Sequence, residues 1–487
     1  MYASLNPEYC IRNEKGCSFI VHKVTLKNVK ERSFPFVMPI PPLYGQILSF
    51  FIGEEICITV DKIEKNLNVN REKINTFVEK VFENSNPYIT YINKIKVWLP
   101  SFLLIRGRHK TDVITNTDFN PYDDFVPKRP DCPFFLNIMI TSKCYTNCIY
   151  CYADRSRKDD MTLDDLMKII DDAKKEQIPN VLISGGDILA TKNWKVILRK
   201  LNSSGYAQII STKIPLKEDD IIFLKENNIN GIQISIDSLE NSELFNIVRV
   251  DRKYSEKMKN TFKYSEKYNL AIDIKTVLTK YNANIKTIKN MYDELLKYKN
   301  INSWNIVPAF FSSHNILDYD TYKTNVETLN TILDFIKKQK SPFPIEYKKI
   351  EDSISTIQER YKSATEFVQK SKGCIANIYG LSIMANGKAT ICEMLYYNET
   401  FYIGDMKKES IKNIWNSSLA LKLNFSGKVE RQDSPCYSCT ELNKCKKANF
   451  KKVCIVDVIS THGTDKWEYP DPRCPHSINA DMHKVIY

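Results

Sequence analysis

From about residue 134 to 340 the chain alternates short apolar, β-rich runs with amphipathic helical stretches. The runs are FFLNIMI, NVLIS, AQIIS, GIQISID, LAIDIKTV and SWNIVPA. Between them lie segments such as TLDDLMKIIDDAKK, where Leu163, Leu166, Met167 and Ile170 form one stripe at helical spacing. Runs that are apolar on both faces belong in a parallel sheet covered by helices. Six such units predict an α/β fold, a partial (β/α)6 barrel of TIM type that stops short of the closed eight-fold form. Chemistry in these sheets gathers at the C-terminal ends of the strands. The stretch TSKCYTNCIYCYADR begins there, directly after the first run.

That stretch carries Cys144, Cys148 and Cys151 in a C-x3-C-x2-C spacing, with no further cysteine or histidine nearby. A structural zinc site asks for four protein ligands, and three are offered here. The N-terminus, MYASLNPEYCIRNEKG, lacks a basic stretch followed by an apolar run, and the patch VWLPSFLLI is too short to span a bilayer. A cytoplasmic chain with no membrane partner is therefore expected, and in a reducing compartment clustered cysteines read as metal ligands. Of 14 cysteines, those outside the triad and the series from Cys374 to Cys474 are Cys10, Cys17, Cys57 and Cys132, scattered bystanders. Only His462 lies within either group, and a thiolate ligand field favours iron–sulfur clusters or zinc. Three thiolates on a four-iron cluster leave one iron open to a substrate or cosubstrate.

The C-x3-C-x2-C spacing, with the aromatic Tyr150 before the third cysteine, resembles the radical S-adenosylmethionine (SAM) enzymes over about residues 134 to 340. The resemblance implies a [4Fe–4S] cluster with SAM, reductive cleavage to a 5′-deoxyadenosyl radical, and hydrogen abstraction from a substrate. It also implies site residues. The second run ends in Ser184, Gly185, Gly186 and Asp187, where the family has a Gly-Gly-Glu-like turn that bonds the amino group of SAM. Asp187 replaces the usual Glu, and the glycines would let bare backbone approach the ligand. Ser211 and Thr212 end the third run, where relatives carry a Thr-Asn-Gly-like turn. Ser235 and Asp237 share one side of the fourth strand. Arg249 matches an arginine that contacts the methionine carboxylate in relatives, a task suited to guanidinium geometry.

Beyond residue 374 the alternation stops. Cys374, Cys392, Cys436, Cys439, Cys445, Cys454 and Cys474, with the segment SIKNIWNSS, resemble the SPASM domain, which holds two auxiliary iron–sulfur clusters. By that resemblance Cys374, Cys392 and Cys454 hold the first, and Cys436, Cys439, Cys445 and Cys474 the second. The pattern expects a cysteine where Asn449 stands, and Cys454 would serve from a longer loop. The first set then has three ligands, leaving an open iron or a different nuclearity. An open iron could take a substrate thiolate, with Glu393 as the neighbouring base. So few apolar runs predict that metal, rather than a core, holds this segment together.

Residues 1–95 read as a winged-helix-like α+β unit. EYCIRNEKGCSFIVH is a predicted hairpin, PFVMPIPP a third strand, and PLYGQILSFFIG, TVDKIEKNLNV and NREKINTFVEKVFEN three helices, with Thr59 and Asn70 as N-caps. The unit resembles the small PqqD-like leader-recognition domain of peptide-modifying enzymes. An extended leader would add to its sheet edge, with Leu43, Ile47 and Phe51 lining a groove and Lys23, Lys27 and Lys30 nearby. The predicted organisation is 1–95 recognition, 96–133 connection, 134–345 barrel, 346–373 bridge and 374–487 SPASM.

The resemblances imply an oxidoreductase-type maturase that forms a thioether or other side-chain cross-link in a ribosomally made precursor peptide. An electron donor such as flavodoxin or ferredoxin would serve it. A formylglycine-forming enzyme of sulfatase-maturase type and a peptide epimerase remain open. A redox-sensing winged-helix regulator is disfavoured: the net charge of +12 is spread over Lys-rich surfaces with no concentrated basic helix, so no nucleic-acid partner is expected.

Overall fold

The computed structural model describes residues 1–24, 35–154, 159–310, 318–347, 361–370, 374–424, 431–447 and 453–477. Two compact units emerge, one from Met1–Phe135 with Lys175–Asn180, the other from Leu136–Lys174 with Val181–Tyr487.

In the first unit, β1 (Tyr2–Leu5), β2 (Tyr9–Glu14), β3 (Cys17–His22) and β4 (Val37–Ile40) lead into α1 (Pro42–Ser49), β5 (Ile52–Glu55), α2 (Ile56–Leu67) and α3 (Arg71–Val81). Then come β6 (Tyr88–Ile92), β7 (Ile95–Leu99), β8 (Leu104–Arg106) and β9 (Val113–Thr115). The expected hairpin is β2–β3, paired from Tyr9↔His22 to Glu14↔Cys17, and its turn uses Gly16 at φ +70°. Asn70 caps α3 by accepting from Glu72 N at 2.8 Å, and Ile74, Val78 and Val81 bury its inner face. Thr59 does not cap α2: that helix starts at Ile56, because β5 runs straight into it, and Thr59 is buried inside.

Residues 1–95 do not close on themselves. The sheet order β4-β3-β2-β9 uses a strand beyond residue 95, with β9 parallel to β2, and β5-β1-β8 uses another. Residue 95 is also the first of β7, whose turn from β6 places Asn93 and Lys94 at φ 49° and 66°, the left-handed pair of a tight hairpin. The three-residue strands β8 and β9 are too short to show alternation in sequence. Of the residues expected to line a groove, Leu43 is half-buried while the other two lie inside. Ile47 and Phe51 are 3% and 0% exposed, because α1 packs so closely on the β2–β3 hairpin that a Cβ at Gly45 would lie 2.1 Å from Ser18 Oγ. Lys23 pairs with Asp112, and Lys27 and Lys30 lie outside the described residues.

The second unit holds the alternating elements. These are β10 (Phe135–Met139), α4 (Leu163–Lys175), β11 (Asn180–Ser184), α5 (Trp194–Ser203), β12 (Ser211–Thr212), α6 (Glu218–Glu226) and β13 (Gly231–Ser235). They continue with α7 (Asn241–Val248), α8 (Tyr254–Lys267), β14 (Ala271–Leu278), α9 (Ile285–Leu295), β15 (Ile301–Pro308), α10 (Tyr319–Tyr322), α11 (Val326–Lys337) and β16 (Ile345–Tyr347). Strands β12 to β16 form one parallel sheet in chain order, so β16 adds a strand to the predicted six, while of AQIIS only Ser211 is in a strand, the two-residue β12. The other sheet runs β11-β10-β17-β18-β19, where β17 (Gly380–Ile383), β18 (Lys388–Thr390) and β19 (Tyr402–Asp405) come from the cysteine-rich segment. Among the described residues the two sheets do not join into a closed barrel.

The cysteine-rich segment has a core after all. Ile383, Met384, Ala385, Ala389, Phe401, Ile411, Ile414 and Trp415 are buried, and Gly404 lets the helix Ile411–Trp415 press onto β19. Its apolar runs are short because they extend an existing sheet beside β10 instead of building one alone.

Candidate metal and cofactor site

The cysteine loop is fastened on both sides by backbone. Ile140 N donates to Ser184 O, Gly186 N to Thr141 O at 2.7 Å, and Asp187 N to Lys143 O at 2.8 Å. A Cβ at Gly186 would sit 2.0 Å from Lys143 O, and one at Gly185 (φ +141°) would sit 2.6 Å from Thr141 O. Glycine is therefore required at both positions by the close approach of the cysteine-loop backbone. Across the loop, Asn147 N and Ile149 N donate to Val248 O and Ile247 O at the end of α7. Asp160 ties the loop's base by accepting from Ser142 N and from the Thr141 and Ser142 hydroxyls.

Within this frame Thr146 Oγ1 lies 3.4 Å from Cys144 Sγ and 3.2 Å from Cys148 Sγ, and Cys151 N reaches back to Cys148 O. All three cysteines are half-buried, and none of the described cysteines forms a disulfide. Burial pushes the Cys148 thiol up to about 11, so a thiolate there needs a cation to offset its desolvation.

The strand ends beside the loop are joined by side chains. Asp187 is 4% exposed, and its carboxylate accepts from Leu189 N, from Thr212 Oγ1 at 2.8 Å and from Lys213 N at 2.8 Å. That carboxylate joins the ends of β11 and β12. Tyr150 OH donates to Asp237 Oδ2 at 2.5 Å, Lys213 Nζ meets the same oxygen at 2.9 Å, and Asp237 Oδ1 accepts from Val277 N. Lys213 was missed in sequence although it is the first residue after the third strand, where such sheets place their chemistry. Ser235 is half-buried, and its carbonyl lies 3.4 Å from Lys213 Nζ. Two further expected residues are exposed: Ser211 accepts from Gln233, and Arg249, directly after the α7 residues that hold the cysteine loop, has its guanidinium over the Phe245 ring.

Glu393 opens a short 3-10 turn directly after Cys392. Its carboxylate accepts from Asn137 Nδ2 on β10 at 2.5 Å, with the Ser184 hydroxyl beside it and Lys275 of β14 within electrostatic range. Burial pushes this carboxyl above its ordinary range. Further on, Tyr396 packs edge-on against Tyr152 at 5.7 Å. The phenol oxygens of Tyr396 and Tyr322 are buried without a hydrogen-bond partner among the described residues, and both feel the charge of Cys151. A buried polar atom left unpaired is costly, so two of them near one thiol fit a bound polar group.

The second cysteine field contains two sets of electrostatic neighbours. Cys436 senses Cys439 and Cys445, and Cys474 senses Cys436 and Cys445, so these four lie together. Cys454 senses Cys374, and its backbone N–H is held by Asp471, itself paired with Arg473. Burial raises the Cys436 and Cys474 thiols to about 12. Cys392 is half-buried, and Asn449 lies outside the described residues. Among the described residues no three such side chains converge tightly enough to hold a single metal ion.

Three half-buried thiols thus sit at the C-terminal edge of an α/β sheet, with polar strand ends around them. Residues 138–295 match the radical SAM superfamily, and residues 374–440 match the SPASM iron–sulfur cluster-binding domain. The chain carries both domains; the first implies a [4Fe–4S] cluster with SAM and the second auxiliary iron–sulfur clusters. The crystal structure of Streptococcus suis SuiB bound to precursor peptide SuiA matches over 100% of both chains, with a TM-score of 0.63 and 16% identity. SuiB bound to S-adenosylmethionine matches over 97% of this chain and 99% of its own, with a TM-score of 0.59 and 15% identity. A probable GTP 3′,8-cyclase of Methanothermobacter marburgensis is 31% identical over 26% of this chain and 41% of its own. The chain thus spans about two fifths of that curated relative. Among the described residues no helix is long and apolar enough to cross a membrane.

Proposed function

We propose that the protein is a peptide maturase that forms a thioether or other side-chain cross-link in a cysteine-containing, ribosomally made precursor. The observation that carries this reading is the step from Cys392 to Glu393. One residue is the expected ligand of an auxiliary cluster, and the next is a half-buried carboxyl bonded to Asn137 on β10. A substrate thiol beside Cys392 would then have a base next to it. When bound, the clusters and SAM supply a carbon-centred radical for hydrogen abstraction and an acceptor for the remaining electron.

The chain's own residues do the rest. Cys144, Cys148 and Cys151 hold the SAM-binding cluster, while Tyr150, Ser235 and the strand ends pinned by Asp187 shape the cofactor pocket. Glu393 takes the proton of the substrate thiol, and Asn137 orients its carboxylate. The first unit binds the leader by strand addition, and a flavodoxin or ferredoxin delivers the electron. SuiB, whose fold spans the whole chain, has been crystallised with a precursor peptide, which supports a peptide partner here.

The test uses reconstituted enzyme, SAM, a reductant and synthetic cysteine-containing precursor peptides. The expected product has lost two hydrogens and one alkylatable thiol. SAM cleavage with the peptide unchanged, or conversion of a cysteine to formylglycine, would overturn the reading.

A further inference from the structure

We propose that Lys213 is a fixed positive charge that sets the reduction potential of the cluster held by Cys144, Cys148 and Cys151, with Asp237 and Tyr150 holding it in place. Its side chain is 13% exposed, and its ammonium reaches Asp237 Oδ2 at 2.9 Å and the Ser235 carbonyl at 3.4 Å. It lies over the Tyr150 ring, 5.6 Å from the centroid. Tyr150 stands between Cys148 and Cys151 in sequence and donates to the same carboxylate oxygen. The ammonium is thus clamped between the cysteine loop and the ends of β12 and β13, with Cys148 and Cys144 within its electrostatic range.

The side chain is not needed to tie the strand ends together. Lys213's backbone already does that, its N–H donating to Asp187 and its carbonyl accepting from Tyr254 OH at 2.8 Å. Nor is the side chain needed to anchor Asp237, whose other oxygen accepts from Val277 N. What it adds is a cation beside thiolates in a site largely shielded from water. Net charge, hydrogen bonding and exposure tune cluster potentials. An electron entering the cluster makes it more negative, so a nearby cation favours the reduced form, and Asp237 partly cancels that gain.

The signs of two substitutions separate this role from simple support. In reconstituted holoenzyme, the SAM-binding cluster is followed by electron paramagnetic resonance during a redox titration. Its signal is told apart from the auxiliary clusters by its response to added SAM. Lys213→Met should shift the midpoint negative, with the reduced-to-oxidised ratio at fixed poise falling about tenfold, which for one electron corresponds to about 59 mV. Asp237→Asn should shift it positive, and Lys213→Arg should stay near wild type. Wild-type midpoints in fully iron-loaded Lys213→Met and Asp237→Asn enzymes, or shifts in the same direction, would overturn the proposal. Loss of the cluster from both variants would also overturn it, leaving these residues a structural role.

Discussion

Glu393 and Asn137 lie 256 positions apart in the chain, yet the carboxylate of one accepts from the amide of the other at 2.5 Å. The contact joins the cysteine-rich segment to the first strand of the α/β sheet, within the second unit. Through it, a residue next to an expected auxiliary-cluster ligand reaches the strand that leads into the cysteine triad.

Glu393→Gln should leave reductive SAM cleavage intact and slow peptide modification by about 10²-fold or more, the usual worth of a positioned base. Because burial raises the wild-type carboxyl, modification should fall as pH drops through that elevated value. Stability follows the opposite sense. The folded state holds its proton to higher pH than the unfolded chain, so wild-type stability falls as pH rises from the ordinary carboxylate range through the raised value. Melting temperatures of the two proteins should therefore diverge in favour of the Gln variant as pH rises. Equal modification rates for the two enzymes would remove Glu393 from the reaction.

Gly186→Ala tests how the cysteine loop is held. The added Cβ would fall 2.0 Å from the Lys143 carbonyl, which belongs to backbone and cannot swing aside. Overpacking of this kind costs about 1–3 kcal/mol. The loop should shift, and iron retention at the triad should drop while the unit stays folded by circular dichroism. Full iron content with wild-type stability would show that the loop yields more easily than its contacts suggest.

Much of this site was legible in sequence, and what was not has physical reasons. Cysteine spacing and strand–helix alternation are local signals, so β10, β13, β14 and β15 fall where apolar runs predict them. Asp187 and the two glycines stand out in sequence by position, but sequence could not show that Asp187 meets Thr212 and Lys213 or that the glycines lie against the cysteine-loop backbone, because these contacts join separate stretches of the chain. Lys213 looked like one more surface lysine among many. The core of the cysteine-rich segment was missed because β17 to β19 borrow an edge from β10, and borrowed edges leave no periodicity of their own. Arg249 was chosen by pattern alone, and its exposed position over Phe245 is set by the left-handed turn (φ 59°) that ends α7.

Iron removal should expose that difference between borrowed and metal-built structure. The β17–β19 ladder rests on Ile383, Met384 and Ala389, all at 0% exposure, and needs no metal to stay paired. The short helix Leu442–Lys447 has Cys445 within it, and Cys436 and Cys439 lie just ahead. After anaerobic chelation, amide hydrogen exchange should rise sharply across residues 434–447 and little across 380–390. Equal loss of protection in both stretches would mean that the clusters support the whole segment.

The final prediction concerns where a leader peptide docks. Strand addition needs an edge with outward main-chain groups, and the four-stranded sheet offers β4 or β9. β4 contains Pro39, which has no N–H to donate, a common way to blunt an edge. On β9, Asp112 O accepts from Ile11 N and Asn116 N donates to Asn13 O, so these residues face β2. Main-chain direction alternates along a strand, which turns Val113 and Thr115 outward and makes β9 the open edge. Val113→Pro would remove one outward donor while sparing the ladder to β2. A single main-chain hydrogen bond is worth about 0.5–1.5 kcal/mol net, so leader affinity should fall roughly two- to tenfold. SAM cleavage, which depends on the triad, should not change. Leader binding measured by fluorescence anisotropy decides the matter: an unchanged dissociation constant for the Val113→Pro enzyme would rule out the β9 edge as the docking strand.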